Sequence, residues 1–192
     1  VPDADDPSHG VVEVVVCESP AASAPRPSVD VCILLDRSGS MSGTGQVLGN
    51  GIAGDVLASL SPGDTADVVL FDDRMEPLAA CEHGAVAPGT AQYRRLIDQV
   101  GRVTSRGGTE LLDAIRMAAR RMPAAQVGRD RVLVVITDGH FGNESEAVRL
   151  RRTALKDVRV VVLGVNLESS GGFLQELANG SYVELISEIG RA

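Results

Sequence analysis

The sequence predicts a doubly wound α/β domain, with a mostly parallel sheet, one antiparallel edge strand and helices on both faces. Short apolar runs alternate with helical patterns along the chain, as β-α-β crossovers require. The runs are almost continuously apolar, which is typical of strands covered on both faces. The 192 residues, of which 44% are hydrophobic and 23% charged, suffice for one domain with a sizeable core.

Six apolar runs in the main body of the chain predict the strands of this sheet. The segment 75–81 follows the strand ending at Phe71 so closely that we expect a hairpin, and therefore the antiparallel edge strand. The predicted strands are 29–35, 66–71, 75–81, 131–137, 158–165 and 182–185.

Helical patterns fill the intervals between the strands. Tyr93, Leu96, Ile97 and Val100 follow the spacing of one helix face. The predicted helices are 45–60, 93–100, 111–122, 144–156 and 172–178. The first is the weakest prediction, because Gly49, Gly51 and Gly54 would each cost about 1 kcal/mol relative to alanine.

The N-terminal part differs from the rest of the chain. In residues 1–28 the sequence predicts an extra strand at 11–16 and a linker rich in Pro, Ala and Ser. Residues 29–192 are predicted to form the main domain. Cys17, Cys32 and Cys81 are an odd, sparse set, which favours a reducing compartment. No apolar run approaches the length of a membrane span. We therefore expect a cytoplasmic location without membrane insertion, with an envelope-associated parent chain as the alternative.

The charge argues against nucleic acid as a partner. Lys and Arg number 18 and Asp and Glu 26, so the formal net charge of −8 repels phosphate backbones. With two Tyr, three Phe and no Trp, few side chains could stack on bases. The richness in Ala, Gly and Val and the excess of arginine over lysine are typical of a GC-rich bacterial coding sequence.

Oxygen-bearing side chains follow two of the predicted strands. Asp36 ends the first strand and opens a loop carrying Ser38 and Ser40, and Asp138 ends the strand 131–137. Thr109 precedes a helix and can bring a third hydroxyl to the same edge of the sheet. Such an all-oxygen set suits a hard cation, Mg²⁺ or alternatively Mn²⁺. A polar turn alone would explain the Asp36–Ser40 motif, but not all five positions.

These residues carry a resemblance to a known family. The motif Asp36-x-Ser38-x-Ser40, with Thr109 and Asp138, resembles the metal-ion-dependent adhesion site (MIDAS) of von Willebrand factor type A domains of the bacterial type. The resemblance covers roughly residues 29–190. It implies that Ser38 and Ser40 bind the ion directly, that Thr109 does so directly or through water, and that the two aspartates act largely through bridging waters.

The resemblance also implies a function. The domain is expected to be a divalent-metal-dependent protein-interaction module whose ion binds an Asp or Glu side chain of a partner protein. Bacterial relatives work beside ATPases or in envelope assemblies, which suggests a partner of that kind. A mainly structural domain within a larger chain is the alternative.

A magnesium-dependent phosphohydrolase is a further alternative with less support. A haloacid-dehalogenase-type enzyme needs a second acid two residues after the first, where this chain has Ser38. There is no Gly-x-x-x-x-Gly-Lys phosphate loop, the only lysine being Lys156, and no Gly-x-Ser-x-Gly motif. We therefore expect no enzymatic activity and no catalytic residues.

Several charged residues near the predicted site allow two interpretations. Asp72 and Asp73 either support the ion from behind or form a solvated turn, with the turn favoured. Arg37 and Arg106 either steer an acidic partner or only solubilise their loops, and a solvent-facing loop position is favoured for His140 over one lining the site. The helix arginines are predicted to be solvated; they are Arg116, Arg120, Arg121, Arg151 and Arg152.

Overall fold

The computed structural model describes residues 26–139, 142–165 and 171–185, and these form a six-stranded sheet flanked by helices. The strand order is β3-β2-β1-β4-β5-β6, and every pair is parallel except β2 with β3. The predicted fold class is confirmed. The strands are β1 Ser28–Asp36, β2 Thr65–Phe71, β3 Met75–Pro77, β4 Arg129–Thr137, β5 Arg159–Val165 and β6 Tyr182–Leu185.

Within the described ranges, five α-helices cover the two faces of the sheet. They are α1 Thr44–Ala58, α2 Ala91–Val100, α3 Leu111–Arg121, α4 Glu144–Ala154 and α5 Gly171–Leu177. Alternate residues of β1 divide between two cores, because successive strand side chains point to opposite faces. Ile33 packs with residues of α1 and α2, whereas Leu34 packs with residues of α3, α4 and α5.

The helix predicted over 45–60 forms in spite of its glycines. Gly49 lies where α1 approaches the sheet, and a Cβ at that position would stand 3.0 Å from Met41 Cε and 3.4 Å from Leu35 Cδ1. Close packing against these buried side chains therefore outweighs the poor helix propensity of glycine.

The edge strand is shorter than predicted. β3 pairs antiparallel with β2 only over Met75–Pro77, and a 3₁₀ turn at Ala79–Cys81 replaces the rest of the predicted 75–81 strand. Pro77 has no amide hydrogen to continue the ladder, which explains the early end. The predicted strand at 11–16 and the linker lie outside the described residues, and the domain boundary at residue 28 stays a prediction.

One predicted surface charge is instead part of the packing. Arg121 is only 19% exposed and pairs through Nε with the buried Asp67 at 2.7 Å, and it also donates to the Cys81 carbonyl. The prediction that Arg121 is a solvated charge is therefore wrong. The cause is the end of α3, which lies over the edge of β2 and meets a carboxylate there. Burial also raises the pKa of the Cys81 thiol to about 12, so it stays protonated.

The described part of the chain contains no helix that is both long and apolar enough to cross a membrane.

Candidate metal centre

The candidate site lies where the strand order of the sheet reverses. β1 has β2 on one side and β4 on the other, and in open α/β sheets such a reversal puts a ligand-binding crevice at the carboxyl ends of the two strands, here β1 and β4. Asp36 is the last residue of β1, and Asp138 follows the last residue of β4. The sheet register thus places the two predicted carboxylates at the ends of neighbouring strands.

Asp36 is a completely buried carboxylate held by two hydrogen bonds. Its Oδ1 accepts the Ser38 amide at 2.8 Å, and its Oδ2 accepts the Thr137 hydroxyl at 2.6 Å. Burial raises the pKa of Asp36 to about 6. Hydrogen bonds from Thr137 and Ser38 oppose the rise, and the nearby Asp138 adds to it. Among the described residues, no arginine or lysine forms an ion pair with Asp36.

Ser38 and Ser40 present their hydroxyls together. The two Oγ atoms are 3.0 Å apart, with Ser38 buried and Ser40 exposed. The backbone forms a 3₁₀ turn at Gly39–Met41, and the buried Met41 side chain fixes this turn against Gly49 of α1. The two hydroxyl oxygens are therefore held together on a turn with a buried base.

Thr109 lies on a loop joined to the serine loop by backbone hydrogen bonds. The Gly39 amide donates to the Gly107 carbonyl at 3.0 Å, and the Arg106 amide donates to the Arg37 carbonyl at 2.5 Å. Gly107 has a φ of +72°, a left-handed conformation that glycine adopts readily. Thr109 is half-buried, two residues beyond that carbonyl. The structure thus places Thr109 on a loop that adjoins the serine loop, and its role as a ligand stays a prediction.

Asp138 is 5% exposed and is followed by a glycine with a positive φ. Gly139 has a φ of +83°, and its amide donates to the Thr137 hydroxyl at 3.1 Å. His140 lies outside the described residues, so its predicted loop position stays a prediction.

Two supporting residues were not predicted from the sequence. Thr137 links the two strands by accepting from Gly139 and donating to Asp36. Gln46 of α1 donates through Nε2 to the Asp36 carbonyl at 3.3 Å. Thr137 could have been identified from its position just before Asp138, at the end of a predicted strand. No feature of the sequence around Gln46 indicates its contact with Asp36.

Asp72 is buried, not part of a solvated turn, and this corrects the favoured prediction. Its Oδ2 accepts Arg37 Nε and Arg106 Nε, each at 2.9 Å. Both arginines also pair with Glu76 Oε2, at 2.7 Å and 3.2 Å respectively. Both guanidinium groups are therefore paired with carboxylates. The interpretation of Arg37 as a solubilising loop charge is wrong, because its side chain is buried. We call these four residues the Asp72 cluster.

The donor set fits a hard divalent cation. Within the described residues, no group of three or more His, Cys, Asp or Glu side chains could hold a metal, so an ion here would depend on hydroxyl ligands. Asp36 supplies negative charge and has no basic partner among the described residues, and the paired serine hydroxyls supply neutral oxygens. Oxygen donors of this kind match the preferences of Mg²⁺ and Mn²⁺.

Comparison with solved structures supports the fold. The chain is similar to the hypothetical protein BatB from Bacteroides thetaiotaomicron, with 24% identity and a TM-score of 0.66, over 84% of this chain and 92% of that one. It is also similar to a von Willebrand factor type A protein from Catenulispora acidiphila, with 18% identity and a TM-score of 0.70. The match covers 83% of this chain but only 39% of that protein.

A third similar structure contains a metal. Proximal thread matrix protein 1 from the mussel byssus, described with a zinc-occupied MIDAS motif, is 19% identical with a TM-score of 0.59, over 83% of this chain and 42% of that one. No curated protein sequence matches this chain. The family model for the von Willebrand factor type A domain matches residues 29–182. This chain therefore belongs to the von Willebrand factor type A domain family.

Proposed function

We propose that the chain is a non-enzymatic module that binds a partner protein through a divalent metal ion at the crevice between β1 and β4. The single observation that carries this proposal is the completely buried Asp36, which has no basic partner among the described residues and adjoins the paired hydroxyls of Ser38 and Ser40. A cation is the simplest charge that compensates a buried carboxylate in this position. The zinc in the MIDAS of the mussel protein supports a divalent ion at the same kind of site.

The five proposed ligands divide into two chemical types. Ser38, Ser40 and Thr109 would offer neutral hydroxyl oxygens, whereas Asp36 and Asp138 would act largely through water. Because neutral oxygens donate little charge, the bound ion would remain electrophilic and attract an outside carboxylate. An Asp or Glu side chain of a partner protein is the proposed occupant. A short, directional contact of this kind is compatible with the overall charge of −8.

The proposed test begins with metal binding. Isothermal titration should show Mg²⁺ or Mn²⁺ binding to the wild-type chain, and Asp138→Ala should abolish it while circular dichroism shows the fold retained. The fold should survive because Asp138 lies in a loop outside the core. Absence of binding by the wild type would contradict the proposal, and unfolding of the variant would show that Asp138 is structural.

The second step tests the vacant coordination position. With Mn²⁺ bound, the relaxation rate of water protons should fall when a peptide containing aspartate or glutamate displaces a coordinated water. The same peptide with asparagine or glutamine in place of the acid is the control. Metal binding without any effect of the acidic peptide would favour a structural ion. Hydrolysis of phosphate esters by the wild type, lost in Asp138→Ala, would favour the phosphohydrolase.

A further inference from the structure

The Asp72 cluster joins three segments that are distant in sequence. Asp72 follows β2, Arg37 lies in the serine loop after β1, and Arg106 lies in the loop that carries Thr109. A single oxygen, Asp72 Oδ2, accepts both guanidinium groups at 2.9 Å. Its Oδ1 accepts the Arg74 amide at 2.7 Å, which fixes the carboxylate in place.

Backbone contacts repeat the same connection. The Asp72 carbonyl accepts the Glu110 amide at 2.7 Å, so the far end of the Thr109 loop is also attached to the residue after β2. A Cβ added at Gly107 would stand 3.3 Å from Asp72 Cβ, which shows how closely the loop passes over this side chain. The loop is thus attached on both sides of Thr109, at Arg106 and at Glu110.

We propose that Asp72 is a positioning residue for the metal site, holding the Arg106–Glu110 loop against the serine loop so that Thr109 and the serine hydroxyls can share one ion. The inference rests on the proposed metal binding. Asp72 is completely buried, and its charge is compensated by Arg37 and Arg106. We therefore do not expect Asp72 to bind the metal ion itself. The cluster then acts on the site only through the loops that it joins.

The chain offers a matched pair of variants for the test. Arg106 is 55% exposed and pairs with Asp72 and Glu76, whereas Arg116 is 44% exposed and pairs with Asp113 and Glu146. Each substitution by alanine therefore removes one half-exposed arginine and two ion pairs. Only Arg106 belongs to the loop that carries Thr109.

Three measurements distinguish positioning from stability. Arg106→Ala should lower Mg²⁺ affinity by tenfold or more, the order seen when the residues that orient metal ligands are removed. It should also speed hydrogen exchange at the Gly39 and Arg106 amides. Its melting temperature should fall below that of Arg116→Ala, because the buried Asp72 then keeps only Arg37, so Mg²⁺ affinity is measured at a temperature where every variant is folded. Arg116→Ala should bind Mg²⁺ like the wild type. Arg106→Lys, which keeps the charge, should recover part of the affinity.

Asp72→Asn tests the same inference at the centre of the cluster and should weaken Mg²⁺ binding at least as much as Arg106→Ala. If this variant does not fold, Arg106→Ala decides the question. Equal Mg²⁺ affinity in the wild type, Arg106→Ala and Arg116→Ala would overturn the positioning role. Failure of the wild type itself to bind Mg²⁺ or Mn²⁺ would instead overturn the proposed function.

Discussion

The Thr137 hydroxyl donates a 2.6 Å hydrogen bond to Asp36 Oδ2, across the boundary between two neighbouring parallel strands. Both residues are completely buried, and the strand register places Leu35 beside Ile136 just before them. The ionised form of Asp36 therefore depends on a donor from β4. This bond couples the strand that precedes the serine loop to the strand that precedes Asp138.

Removing that donor should disfavour the carboxylate. Thr137→Val keeps the shape of the side chain but loses the hydroxyl, so we expect the pKa of Asp36 to rise further above 6, by about one unit. Mg²⁺ affinity at neutral pH should fall accordingly, as measured by titration calorimetry at several pH values. Thr65→Val is the control, because Thr65 makes a 2.7 Å bond to Asp30 at the other end of the sheet. Equal affinity in all three proteins would contradict this role of Thr137.

Asp36 should give stability an unusual dependence on pH. Burial raises its pKa from 3.8 to about 6, so the folded state binds this proton more tightly than the unfolded state. Without metal, this group favours folding most at low pH, and its contribution is lost as the pH rises through 6. With Mg²⁺, the ionised form is needed, so the stabilisation by metal should be large above pH 7 and small at pH 5.

Thermal melting with and without Mg²⁺ between pH 5 and 7 measures this effect. Burial alone would raise the pKa of Asp30, Asp64 and Asp72, but their hydrogen bonds and ion pairs with arginine outweigh it and lower the pKa, so these three carboxylates do not obscure the effect. Asp36→Asn should be insensitive to Mg²⁺ over the whole range. A metal-induced shift that is the same at pH 5 and pH 7 would show that Asp36 does not titrate with the ion.

Gly107 should be intolerant of a side chain. Gly107→Ala would place Cβ 2.7 Å from Asp73 Oδ1 on a backbone with a φ of +72°, which we expect to cost about 1–3 kcal/mol of unfolding free energy. At Gly108 the nearest atom to an added Cβ is 3.9 Å away, so Gly108→Ala is the matched control. Urea denaturation compares the two, and equal stability would mean that the loop adjusts without strain.

The glycines of α1 should differ in their response to alanine. Nothing lies within 4 Å of an added Cβ at Gly51 or Gly54, so alanine at either should stabilise the helix by about 1 kcal/mol. Gly49→Ala should gain less or lose stability, since its Cβ would be 3.0 Å from Met41 Cε. Chemical denaturation of the three single variants tests this order of stabilities. The prediction would be wrong if Gly49→Ala were the most stable of the three.

The sequence predicted those parts of the fold that depend on local pattern. The strand over Tyr182–Leu185 has the predicted bounds, and α1 forms where it was predicted in spite of its glycines. The contact that explains α1 brings Gly49 against Leu35 and Ile136, which no local pattern reveals. The polar motifs likewise predicted that Asp36 and Asp138 lie at the carboxyl ends of two strands. That these strands are neighbours, and that a hydrogen bond from Thr137 links them, came only from the structure.

The charged residues around the site were the least predictable. Arg37, Arg106 and Asp72 are separated by more than thirty residues in the pairs that they form, and each is an ordinary loop residue in the sequence. Arg121 follows the spacing of a solvated helix face, yet the end of α3 lies over Asp67. Such ion pairs depend on how helices, strands and loops pack against one another, and neither residue propensities nor hydrophobic periodicity predict that packing.

The most direct measurement is the position of a bound ion. Diffraction from crystals of this chain grown with Mn²⁺ should give one anomalous peak between the Ser38 and Ser40 hydroxyls, at a coordination distance of about 2.0–2.2 Å from each, with Thr109 and Asp138 around it. The same peak should be absent from crystals of Asp138→Ala, which would show that Asp138 is needed for binding of the ion. A folded wild-type protein with no peak at these hydroxyls, or with its only peak elsewhere, would contradict the account.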